Sequence, residues 1–98
     1  MKTFADAKFT VTNRPGRAGV CGKIPLDDNG LKISIVMNEM SYGGLRGLWE
    51  IAVFNKDGQV DLSCLEHDVI GFLTFPELEE KIKEIQIELN SNQNKEGE

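Results

Sequence analysis

Ninety-eight residues with 40% hydrophobic content make one domain's worth of chain, with room for a single modest core. No apolar run approaches the roughly 20 residues that span a bilayer, the N-terminus has no continuous apolar signal core, and two cysteines make neither a disulfide framework nor a thiolate zinc site. A net charge of −5 opposes nucleic acid as a partner, so a cytoplasmic domain is expected, with Cys21 and Cys64 reduced and buried as small apolar residues.

Taken in chain order, strand signals come first. Lys8 to Thr12 alternates, with Phe9 and Val11 on one face, and Asn13-Arg14-Pro15-Gly16 supplies a turn. Ala18 to Ile24 reads as a weaker, glycine-diluted strand. Asp27-Asp28-Asn29-Gly30 has the chemistry of a tight hairpin and leads into a strand that places Leu31, Ile33, Ile35 and Met37 on one face.

Ser41-Tyr42-Gly43-Gly44-Leu45-Arg46-Gly47 puts three glycines within five residues, together with the only Tyr, directly before Leu48 to Phe54. The glycines describe a loop able to take left-handed dihedrals or to lie close to another surface. The run after them, apolar on both faces apart from Glu50, predicts a central strand, with the only Trp, Trp49, as a packing anchor. Asn55-Lys56-Asp57-Gly58 turns the chain into a short strand over Gln59 to Leu62, and Val69 to Leu73 is a further strand or a packed extended segment.

The last element is a helix. Thr74 followed three residues later by Glu77 makes a capping box, and Leu73 with Leu78 makes a hydrophobic staple. Leu78, Ile82, Ile85 and Leu89 form one stripe, while Ile87 points about 180° away from Leu78. Glu77 with Lys81 and Glu79 with Lys83 are spaced as i,i+4 pairs. Residues 91–98 are polar and are expected to be a disordered tail beyond a single domain of residues 1–90. The pattern predicts an α+β fold: an antiparallel sheet of four to five strands with one C-terminal amphipathic helix packed on one face.

Charge divides unevenly along the chain. Residues 1–47 carry seven basic side chains against four acidic ones, a balance of +3, and the remainder carries −8. Such asymmetry can steer a charged partner or bring copies together head to tail, although a solvated acidic helix accounts for most of it.

Four constellations could carry chemistry. Cys64-Leu65-Glu66-His67-Asp68 gathers a thiol, acids and the only His, but no third orienting group or second Cys/His pair can be assigned to it. Residues 55–66 mimic the ligand spacing of a calcium loop except that Val60 stands where the turn needs Gly. Gly43 to Gly47 with Arg46 could cradle a phosphate, yet it precedes a strand and does not join a strand to a helix. Arg14, Arg17 and Lys23 make a basic loop too small, and too poor in aromatics, for nucleic acid. Neither a catalytic set, nor a metal site, nor a cofactor is expected.

Ser41-Tyr42-Gly43-Gly44, then Gly47-Leu48-Trp49-Glu50-Ile51-Ala52-Val53, then Asp68-Val69-Ile70-Gly71-Phe72-Leu73 before an acidic helix, resembles a type of small uncharacterised protein encoded by tailed bacteriophages and prophages. The similarity covers about residues 31–90. It implies a phage or prophage source, which makes the expected cytoplasm that of the host cell, and a compact α+β shape, and it carries no activity to transfer. The expected function is that of a non-enzymatic accessory protein which binds a host or phage protein, such as a defence component, as a homo-oligomer. Tyr42, Gly43, Gly44 and Arg46 in the glycine loop and Ile87 on the outer helix face are the candidate contact residues. A nucleotide or small ligand held by the Gly43–Gly47 loop, or a minor structural place in the virion, are the alternatives.

Overall fold

A computed structural model describes residues 1–66 and 69–96. Six strands and one long helix follow in order: β1 Lys8–Thr12, β2 Gly19–Pro25, β3 Lys32–Asn38, β4 Trp49–Asn55, β5 Gly58–Gln59, β6 Ile70–Leu73 and α1 Phe75–Glu96. Strands β1 to β4 form an antiparallel meander. The far side of β4 is shared, with β5 pairing its end at Phe54 and Asn55 and β6 pairing its start at Trp49 and Ile51. This is the expected α+β architecture, one antiparallel sheet with a C-terminal helix against it. The strand number rises because Ile70–Leu73 does pair with β4.

Local chemistry explains each joint. The Asp27 carboxylate accepts the backbone N–H groups of Asn29 at 2.8 Å and Leu31 at 3.0 Å, closing the β2–β3 hairpin. Asn55 does the same for Asp57 at 2.8 Å in the β4–β5 turn. The second of these strands is shorter than the expected Gln59 to Leu62. The chain leaves the sheet after Gln59 so that Leu62 and Leu65, 3% and 0% exposed, can drop into the core, Leu62 capping a 3-10 turn Ser63–Leu65 and Leu65 ending it.

Helix α1 starts as predicted. The Thr74 N–H donates to the Glu77 carboxylate at 2.9 Å and the Glu77 N–H donates to the Thr74 hydroxyl at 3.4 Å, while Leu73 and Leu78 are both buried. These bonds hold the Glu77 carboxyl below its ordinary range. Because Glu77 is turned back to its cap, Lys81 pairs with Glu84 at 2.9 Å instead. Leu78, Ile82 and Ile85 are buried against Ile24, Ile33, Ile35, Ile51 and Val53 from the sheet, with Leu89 packed beside them. Alternation along β2, β3 and β4 delivers that apolar layer to one face. The helix continues through Glu96, six residues into the segment 91–98, which holds no Gly or Pro until Gly97. No described helix is long and apolar enough to cross a membrane.

Among the described residues no helix covers the opposite sheet face. There Lys23 lies across the sheet, donating to the Ser34 hydroxyl at 3.0 Å with its ammonium 5.8 Å from the Phe54 ring centroid. Lys23 pairs with Lys8 at the end of the β1–β2 ladder remote from its turn, so it does not join Arg14 and Arg17 in a basic loop. Cys21 and Cys64 are half-buried, less enclosed than expected. Cys21 belongs to the open face, and Cys64 sits in the turn under α1.

Candidate functional site

The loop between β3 and β4 is held by its own polar groups. The Asn38 side-chain oxygen accepts from the N–H groups of Met40 and Ser41, each at 2.8 Å. The Ser41 hydroxyl closes the base by accepting from the Asn38 N–H at 2.9 Å and donating to the Asn38 carbonyl at 3.0 Å. Gly43 and Gly47, at φ +90° and +72°, bracket a 3-10 turn Gly44–Arg46 in backbone that side-chain-bearing residues rarely adopt. Gly44 is required for a different reason: a Cβ there would collide with the Asn38 carbonyl.

This folding turns side chains outward. Met40 is 70% exposed, Tyr42 61% and Leu45 81%, and Arg46 is exposed beside them in the sequence. Tyr42 is fixed by its backbone, its carbonyl accepting from the Phe72 N–H at 3.0 Å and its N–H donating to the Glu50 carboxylate at 3.4 Å. Glu50, the single charge in the otherwise apolar β4, therefore serves the loop. Gly71 leaves room for Tyr42, because a Cβ on Gly71 would overlap the Tyr42 side chain.

Phe72, on β6, is bonded to this loop through its N–H. The ladder between β4 and β6 is bulged, with Trp49 opposite Leu73 and Ile51 opposite Ile70, so three steps along β6 match two along β4. The extra length places Phe72 at φ +58° with its side chain 54% exposed. A left-handed conformation costs a residue with a Cβ roughly 1–2 kcal/mol, and bulges of this kind ordinarily place glycine there. The strained position thus holds an aromatic ring towards solvent at a loop that already exposes Met40, Tyr42 and Leu45.

Of the candidate residues, the structure places Tyr42, Gly43, Gly44 and Arg46 in one exposed loop. Ile87, 51% exposed, stands apart on the outer face of α1, twelve residues or about 18 Å along the helix from Phe75. Met40, Leu45 and Phe72 were not among the sequence candidates. Phe72 carries no distinguishing signal in a one-dimensional pattern, where it reads as one apolar residue in the run Val69 to Leu73.

The loop offers little to a phosphate. The N–H groups of Gly44, Arg46, Gly47 and Leu48, four of the donors a cradle would aim outward, all bond to carbonyls of Ser41, Gly43 and Gly44.

The Cys64 cluster has a structural occupation. The Glu88 carboxylate on α1 accepts from the Ser63 N–H at 2.8 Å, the Ser63 hydroxyl at 3.2 Å and the Cys64 N–H at 3.0 Å. From the other side the Lys81 ammonium donates to the Cys64 carbonyl at 2.9 Å. Burial, then the charge of Glu88, push the Cys64 thiol up to about 11, opposite to what a nucleophile requires. His67 and Asp68, the rest of that cluster, lie outside the described residues. Among the described residues no three His, Cys, Asp or Glu side chains gather as a metal site.

No protein-family model, no curated protein and no solved structure matches this chain.

Proposed function

We propose that the protein is a non-enzymatic accessory protein of the phage type and acts by binding another protein through the surface formed by Met40, Tyr42, Leu45 and Phe72, with Arg46 at its rim. The single observation that carries this reading is Phe72, an aromatic side chain held half out of the fold at positive φ. Strain kept at one position and offset elsewhere in a fold points to a use for that position.

The composition of the surface agrees. Tyr, Phe, Met and Arg are the residue types enriched in protein interfaces, and clustered apolar exposure on a soluble fold marks a contact site. The resemblance of the Tyr42 loop and the Trp49 strand motifs to phage-encoded proteins suggests a host or phage protein as the partner, with a component of host defence among the host candidates.

Affinity capture from bacterial host cells with three baits tests the proposal: the unaltered chain, Tyr42→Ala and Phe72→Gly. A partner retained by the unaltered chain and lost from both variants is expected. Equal recovery on all three baits, or no saturable partner on any, overturns the assignment.

A further inference from the structure

A second surface, separate from the loop, lies along β1. Among the described residues this strand pairs with β2 alone, and its other backbone edge is open. Its side chains on the α1 face are Phe9, 42% exposed, and Val11, 65% exposed. Phe9 is the edge-strand member of an aromatic cluster, with ring centroids 5.3 Å from Phe4 and 6.2 Å from Trp49, and Phe4 in turn lies 4.9 Å from Phe75. Val11 continues through its ladder partners Val20 and Met37, both only half-buried. The edge therefore combines unpaired backbone with the rim of an apolar layer that α1 does not cover.

We infer that β1 pairs antiparallel with β1 of a second copy, about a two-fold axis through Thr10, joining the two sheets into one. This register pairs all five residues of the strand. Phe9 then faces Val11 of the other copy on the α1 side, twice by symmetry, which is an aromatic to β-branched pair of the kind that stabilises sheets. On the open side Thr10 faces Thr10, and Lys8 faces Thr12. No like charges stand opposite each other. The two Lys8 side chains are four residues apart along the pair, about 13 Å, beyond the roughly 8 Å screening length of physiological salt.

The alternatives are poorer. A register centred on Phe9 or on Val11 shortens the overlap and leaves one apolar residue of each copy facing a residue outside β1. The self-paired contact is isologous and closed, so it stops at two copies and leaves no exposed β1 edge. Five residues per strand is small against the roughly 800 Å² per partner of a stable complex. Association is therefore expected at tens to hundreds of micromolar, on the order of the weak end of that range.

Sedimentation of the full chain up to about 0.5 mM, a concentration chosen to reach weak dimers, gives the first reading. A monomer–dimer equilibrium is expected, and Val11→Lys, at a site already mostly solvent-exposed, should leave the thermal melt within a few degrees while weakening association at least tenfold. A monomer throughout, or undiminished association of Val11→Lys, overturns the interface. Crosslinking then reads the register in a Cys21→Ser background, which removes the thiol paired with position 10. Thr10→Cys alone should form a disulfide dimer on mild oxidation. Lys8→Cys should form one only when mixed with Thr12→Cys. Dimerisation of Lys8→Cys alone as fast as Thr10→Cys overturns the two-fold through Thr10.

Discussion

Gly44 in the β3–β4 loop and Phe72 on β6, the strand bonded to that loop at Tyr42, answer opposite constraints. At Gly44 the backbone of Asn38 leaves no space for a side chain, whereas at Phe72 the backbone is one that glycine would satisfy better. Replacing Phe72 by Gly relieves the left-handed strain, about 1 kcal/mol, and gives up the packing of a half-exposed ring worth a similar amount. The thermal midpoint of Phe72→Gly should therefore stay within a few degrees of the parent. Gly44→Ala should fall by about 1–3 kcal/mol, the usual cost of forcing atoms into a packed site, as read by urea denaturation. A strongly destabilised Phe72→Gly would mean that the ring serves the fold and not a contact.

Helix α1 is tied to the sheet by more than its apolar stripe. Glu88 reaches across to the 3-10 turn Ser63–Leu65 and supplies the acceptor that the first N–H groups of that turn lack. Burial pushes the Glu88 carboxyl up, but the donors of Ser63 and Cys64 together outweigh it and hold the group below its ordinary 4.5. The folded chain thus takes up this proton less readily than the unfolded chain. The stability Glu88 confers is complete above the unfolded carboxylate value and is lost as pH falls through the lower, folded value. Urea midpoints of the parent should decline through this acid window, and Glu88→Gln should have a lower midpoint at pH 7 with a shallower acid decline. Identical pH profiles for the two proteins would remove Glu88 from the account.

At the scale of the whole molecule, sheet and helix share one core. Ile85 from α1 and Ile35 and Ile51 from β3 and β4 are all fully buried in it. Neither layer has a second apolar face to bury, so the two should unfold together. Trp49 on β4, half-buried against Phe4 with ring centroids 5.6 Å apart, reports the sheet by fluorescence, while far-ultraviolet circular dichroism is weighted to α1. The two transitions should coincide, and Ile85→Ala should lower both by about 2–5 kcal/mol, the range for truncating a buried aliphatic side chain. Separate transitions would show that α1 folds independently of the sheet.

The residues that repeat at short range were legible in the sequence. Alternation along Leu31 to Met37, the Thr74 to Glu77 capping box, the Leu78-Ile82-Ile85 stripe and the Asp27 turn each depend on contacts within a few residues, where spacing dictates geometry. The exposed Tyr42 loop was legible for the same reason, since its glycines permit the positive φ of a tight turn, which Gly43 and Gly47 adopt. Phe72, the Glu88 hold on Ser63 and Cys64, and the open edge of β1 were decided only in three dimensions. Phe72 looks outward because β6 carries an extra residue against β4, a mismatch visible only when both strands are paired. Glu88 meets Cys64 across 24 positions of sequence. The amino-acid order determined which faces had to be buried, and the tertiary structure decided which faces and edges helix α1 left uncovered.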